Sequence, residues 1–193
     1  DPMKKKELKW SEWTAVPVYV ETDGTQVNNS NDILRWINSN HDGGSRFPSI
    51  GEDSTQDKWM DFSDEVLGKS IVAVIYRSYG SSRKALSYVS DVESFSRWQA
   101  WQAKWLGGFI MRMVGKSRAK MFDLPPEENL NFQLDHLSTG ISGDFIGGEV
   151  PNGADFANYG ILRAMQGMRG FHIVEGHGSI GPWFQRMKGT TGV

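Results

Sequence analysis

Four histidines, His41, His136, His172 and His177, are the side chains of this 193-residue chain best suited to moving protons near neutral pH. They are scattered, and only "HIVEGH" sets two of them close together. Its i, i+5 spacing does not put both on one helical face, and no Cys is present to complete a ligand set. The pattern therefore points away from a metal or haem site. The lack of cysteine also removes disulfides and thiolate nucleophiles from the chain. There is no Gly-rich phosphate loop, no Ser-His-Asp arrangement and no paired-carboxylate signature, so no catalytic residue is assigned.

Two stretches could instead hold a ligand through the backbone. Val16-Pro17 opens a strand that a hairpin follows, and a cis-proline there would aim the Val16 N–H and C=O outward. "NNSND", Asn28 to Asp32, sets short polar side chains and backbone N–H groups at a helix start, which favours a carboxylate. On the residues alone the plainer readings lead: a strand cap and an ordinary helix cap. The cationic run Arg112 to Lys120 could face an acidic partner or lipid headgroups, but it suits a solvated helix C-terminus equally well. Trp98, Trp101 and Trp105 repeat at i, i+3, i+7, followed by Phe109 and Met113, a spacing expected of core.

Composition narrows the function classes. A net charge of −2 and a pI near 6.1 give no global push toward nucleic acid or an anionic membrane. Eight Trp and 12 % aromatics mark a globular chain. The longest apolar run, Ile71 to Tyr76, is too short to cross a bilayer, and no signal-peptide pattern is seen. Membrane attachment, if any, is expected through a segment before Asp1 or through a partner.

Up to about residue 40 the chain reads as mixed α/β. Lys4 to Trp10 suggests a short helix, Val16 to Val20 a strand, Asp23-Gly24 a hairpin turn with Thr25 to Val27 as partner strand, and Ser30 to Ser39 a helix capped by Asn29 or Ser30. Residues 41–56 read as a linker. Helices are expected from Asp57, with Trp59, Phe62, Val66, Ile71, Val74 and Ile75 as a stripe that Gly68 interrupts. Another runs from about Ser94 to Met121, stopped by Pro125-Pro126. Others are expected over Ala154 to Met168 and near "GPWFQRMK".

"FIGGEVPNGADFANYGILRAM", Phe145 to Met165, is the most specific stretch. Asn152 is a good N-cap, and Asp155 three residues on can accept from the cap's own N–H. Ala154, Ala157, Ile161, Met165 and Met168 form the expected inward stripe, with Gly160 permitting close helix approach. Loss of the Asp155 cap alone is expected to cost about 1 kcal/mol.

The order of these features resembles the glutathione transferase superfamily, and within it the microsomal prostaglandin E synthase type 2 family. The matching stretches are "KELKWSEWTAVPVYV", "QVNNSNDIL", "KWMDFSDEVL", "IGGEVPNGADFANYGILRAMQGM" and "IGPWFQRM". The resemblance implies a partial thioredoxin-like α/β unit (1–40), a linker (41–56) and an all-α glutathione-transferase C-terminal-type domain (57–193). It implies glutathione as the cofactor and no metal. Val16 and Pro17 would hold its cysteinyl part through the backbone, Ser30 would meet the γ-glutamyl carboxylate, and Asn29 stands where relatives often have Asp. The family's Cys-Pro-x-Cys segment would precede Asp1. Without it the Val16–Val20 edge is open, and a protein partner is expected to cover it. Two functions follow: a non-catalytic accessory or scaffold subunit of an organellar assembly (mitochondrion or plastid, with a cytoplasmic location as the alternative), or a glutathione-dependent isomerase or transferase whose thiol lies before Asp1.

Overall fold

The computed structural model describes residues 8–41, 55–86 and 97–192, with side chains from residue 105 onward in the last of these. The chain divides into two compact units, Asp1–Asp57 and Lys58–Val193.

In the first unit, strands β1 (Val18–Val20) and β2 (Gln26–Asn28) form an antiparallel hairpin that leads into helix α1 (Ser30–Asn40). The register pairs Val18 with Asn28, Tyr19 with Val27 and Val20 with Gln26. The turn closes as Glu21 N–H donates to Thr25 O at 2.9 Å, and Gly24 takes the left-handed conformation (φ 91°) that this short loop requires. Helix α1 lies on both strands. Its Trp36 ring sits 5.4 Å from that of Tyr19. Among the described residues the sheet has only these two strands, so the outer edge of β1 has no strand neighbour. The expected helix over Lys4 to Trp10 falls mostly outside the described residues. Its last residues form a turn, with Ser11 N–H donating to Leu8 O at 3.0 Å. Most of the expected linker, residues 42–54, also lies outside them.

The second unit is helical. Helix α2 (Thr55–Phe62) runs through a π-helical turn (Ser63–Leu67) into α3 (Gly68–Ile75). Then come α4 (Tyr79–Ala85), α5 (Arg97–Ala119), α6 (Pro126–Ser138), α7 (Gly153–Arg163), α8 (Phe171–Gly176) and α9 (Ile180–Thr191). Helix α3 is the hub, touching α5, α6 and α7. Met60, Leu67, Val74, Leu134, Leu162 and Trp183 are fully buried in the core.

The π turn is a local consequence of Gly68, whose N–H bonds to Ser63 O five residues back. A Cβ at this position would approach that carbonyl to 3.2 Å. The extra residue advances the buried stripe by one, so Leu67 is buried where the spacing pointed to Val66, which is only half-buried. Two carbonyls just before the turn also take side-chain donors: Asn158 Nδ2 reaches Trp59 O at 2.8 Å, and Ser63 Oγ reaches Met60 O at 2.6 Å.

Other expectations are corrected. Helices α4, α6 and α8 have no counterpart among the helices that the residue spacing predicts. Pro125-Pro126 does not merely end a helix, because Pro126 occupies the first turn of α6, where its missing N–H costs nothing. Helix α7 ends at Arg163, and its buried face is Ala154, Asp155, Asn158 and Leu162, with Ala157, Ile161 and Met168 half-buried. Gly160 is exposed and a Cβ there meets nothing within 4 Å, so it serves no close approach. Gly160→Ala should therefore stabilise the protein by about 0.5–1 kcal/mol, read as a higher urea midpoint at unchanged slope. The α5 stripe turns outward: Trp105, Phe109 and Met113 are exposed. The Trp98 and Trp101 side chains lie outside the described set.

That orientation has a steric cause. Helix α5 meets α3 and α4 through glycines. An added Cβ on Gly115 would lie 2.8 Å from the Tyr76 carbonyl, one on Gly108 3.1 Å from Arg83 Cγ, and one on Gly107 3.2 Å from Leu86. Leu106, Phe109, Ile110 and Met113 are exposed on the side away from these glycines, whereas Trp105 at the edge of the contact lies under Arg83, whose guanidinium carbon is 4.1 Å from the ring centroid.

Candidate functional site

The hairpin register brings the four candidate ligand-binding residues to one end of the first unit. Val18 pairs with Asn28, so Val16-Pro17 and Asn29-Ser30 flank the same end of the ladder. The Val16-Pro17 peptide is cis, and Val16, Pro17 and Ser30 are exposed. Asn29 stands at the N-cap of α1 without a side-chain capping bond. Its backbone (φ 71°, ψ 138°) lies in a region that only glycine adopts freely. Its carbonyl accepts the first helical bond from Ile33 N–H at 3.0 Å. Ser30 Oγ is 3.4 Å from Asn29 Oδ1. The arrangement offers a hydroxyl, an amide side chain and a helix start, all suited to a carboxylate.

A cleft of about 520 Å³ adjoins this end, lined by Trp10, Ser11, Glu12, Trp13, Gln26 and Asn28. Gln26 Nε2 ties it together, donating to Ser11 Oγ at 2.9 Å and to Asn28 Oδ1 at 2.7 Å. Of these six, only Asn28 is among the residues whose sequence pattern suggests ligand binding. The signal available was two tryptophans, Trp10 and Trp13, in an otherwise polar stretch.

A second cluster sits at the far end of the hairpin. The Tyr19 hydroxyl donates to Glu21 Oε2 at 2.9 Å, and His41 Nε2 lies 2.7 Å from the same oxygen and 3.3 Å from the tyrosine oxygen. Glu21 Oε1 takes the Thr22 N–H at 3.0 Å. The backbone N–H of Thr22 lowers the Glu21 carboxyl most, with help from the Tyr19 hydroxyl and His41, from 4.5 to about 2. Tyr19 is raised in turn, chiefly because its proton is held by Glu21. A carboxyl lowered on folding adds stability that is complete above its unfolded pKa and disappears as pH falls through the folded one. The hairpin should therefore loosen between pH 4.5 and about 2. The emission of the Trp36 neighbour followed in that window should change in the native protein, and Glu21→Gln should flatten the response.

The most buried carboxylate belongs to the second unit and is fully occupied. Asp155 Oδ1 accepts from Ile146 N–H and Trp183 Nε1–H, each at 2.8 Å, while Oδ2 accepts from Gly147 N–H at 3.0 Å and Asn152 N–H at 2.9 Å. Asn152 Oδ1 returns the cap to Ala154 and Asp155 N–H. Four donors fill the acceptor sites of one carboxylate, leaving nothing to meet a substrate. His177 is likewise engaged, lying 3.1 Å from Asp135 and accepting from Ile180 N–H at the start of α9. Among the described residues no three His, Asp or Glu side chains converge on one point.

No protein-family model matches the chain. Several curated proteins do, two of them as follows. Prostaglandin E synthase 2 of Danio rerio is 23 % identical over 236 aligned positions, which take in 99 % of this chain and 63 % of that protein. Prostaglandin E synthase 2 of Mus musculus is 29 % identical over 135 positions, 68 % of this chain and 35 % of that one. The chain is thus similar, at modest identity, to prostaglandin E synthase 2 of both animals. It spans less than two thirds of the length of these relatives. A small two-stranded sheet followed by a mostly helical unit is consistent with a partial thioredoxin-like portion joined to a helical domain. No described helix is long and apolar enough to cross a membrane.

Proposed function

We propose that this chain is a glutathione-transferase-type body with a small glutathione-binding hairpin unit, acting as a non-catalytic accessory subunit in an organellar assembly. The carrying observation is the register that sets Val16-Pro17 beside Asn29-Ser30, with Asn29 held in an unfavourable backbone conformation at that spot. Strain of this kind costs about 1–3 kcal/mol and concentrates at ligand sites. The tripeptide's cysteinyl part would run along the Val16 backbone, and its γ-glutamyl carboxylate would meet Ser30 and the start of α1. No cysteine is available in these 193 residues to act as a nucleophile. The outer edge of β1, which has no strand neighbour among the described residues, supports a protein partner there.

A second reading, a glutathione-dependent isomerase or transferase, is favoured by the similarity to prostaglandin E synthase 2 along 99 % of the chain. One experiment separates the two. Glutathione should raise the melting temperature of the first unit and Ser30→Ala should abolish the rise, with no prostaglandin E formed. A protein indifferent to glutathione would remove the pocket assignment. Turnover by the chain itself would remove the accessory reading.

A further inference from the structure

Between Arg97 and Lys120 the chain carries six cations, Arg97, Lys104, Arg112, Lys116, Arg118 and Lys120, and no acidic residue, although its overall charge is −2. The outward face of α5 is apolar as well: Trp105, Leu106, Phe109, Ile110 and Met113 are each between 42 % and 60 % exposed. At 100° per residue these five fall within one arc of about 140°. Arg112, Lys116 and Lys120 lie within or beside that arc one to three turns farther on. Among the described residues none of these three is in a salt bridge. On its flank Arg77, Arg112 and Lys116 line a recess of about 160 Å³, enough for a phosphate group.

We propose that the outer face of α5 binds an anionic phospholipid bilayer surface, lying flat with its aromatic and aliphatic side chains at the headgroup–acyl boundary. Helices with cations flanking a Trp, Phe and Leu face rest in the plane of the interface and depend on anionic lipid for strength. The long Lys stems at 116 and 120 extend along apolar surface while their ammonium groups stay at headgroup level. Charge decides between a bilayer and a second copy of the chain. A two-fold contact through this face would set two acid-free cationic helices against each other, and like charges across an interface oppose association. An anionic leaflet attracts the same helix. Attachment then needs neither a partner nor a segment before Asp1.

Flotation with vesicles tests this. The chain should float with vesicles of equal parts phosphatidylcholine and phosphatidylserine, remain behind with phosphatidylcholine alone, and be released by high salt. Lys116→Gln and Lys120→Gln should each weaken binding about fivefold. Phe109→Ser with Met113→Ser should weaken it at least tenfold, with a melting temperature at or above the parent's because the changed side chains are exposed. Equal binding to neutral vesicles, or indifference to the lysine variants, would overturn the proposal. So would a dimer in sedimentation velocity that Phe109→Ser dissociates, since that would give the face to a second copy.

Discussion

Replacing Asp155 by alanine should cost the helical unit about 4 kcal/mol, several times the value of a helix cap. The carboxylate is fully buried and answers four donors at 2.8–3.0 Å: the N–H groups of Ile146, Gly147 and Asn152 and the Trp183 indole. Alanine leaves all four without a partner, and each stranded donor costs about 1–3 kcal/mol before relaxation. The damage also spreads, because the same atoms join the loop at 146–152, the start of α7 and the first turn of α9. Trp183→Phe removes one donor and leaves the other three bonds intact, and should cost only about 1–2 kcal/mol. Urea unfolding followed by fluorescence measures both. If Asp155→Ala lost no more than about 1 kcal/mol, the residue would be acting as a cap only.

Gly170→Ala should cost about 3 kcal/mol, from two separable causes. The residue is left-handed (φ 85°) at the start of α8, a conformation that costs an alanine about 1–2 kcal/mol. Its new Cβ would also run into Val74 Cγ1 and come within 3.3 Å of Met165 Cε, both core side chains, and overpacking of that kind costs about 1–3 kcal/mol. Gly167 is the internal control. It is also left-handed (φ 76°), but a Cβ there meets nothing within 4 Å, so Gly167→Ala should show the backbone part alone. Equal losses at the two sites in calorimetry would show that Val74 yields without cost.

Much of this fold could be read from local chemistry. The hairpin followed from Asp23-Gly24 between β-branched runs, and the start of α7 from the Asn152–Asp155 box, because turns and caps are decided by a few neighbouring residues. What failed was whatever depended on packing. Pro125-Pro126 reads as a stop, but a proline at the first helical position is also a start, so local sequence does not announce α6. The α7 stripe was taken from aliphatic residues alone, whereas Asp155 and Asn158 are buried because other segments supply their donors. Helical spacing makes Trp105, Phe109 and Met113 look like core, since periodicity shows that a face exists and not which way it turns. The candidate ligand residues were legible as backbone features. The Trp10–Trp13 cleft was not, because tertiary neighbours form it.

The glycine seam under α5 settles how this helix can move. A half-roll about its own axis, the obvious way for a helix to hide the exposed Phe109 and Met113, would drive bulky side chains into Tyr76 and Arg83, where even a single Cβ has no room at Gly115 and little at Gly108. These contacts oppose that rotation and hold Phe109 and Met113 on the exposed side. Substitutions that add volume on the seam would not swap the faces. They would lift the whole helix off α3 and α4, so this part of the molecule should come apart by peeling and not by rolling.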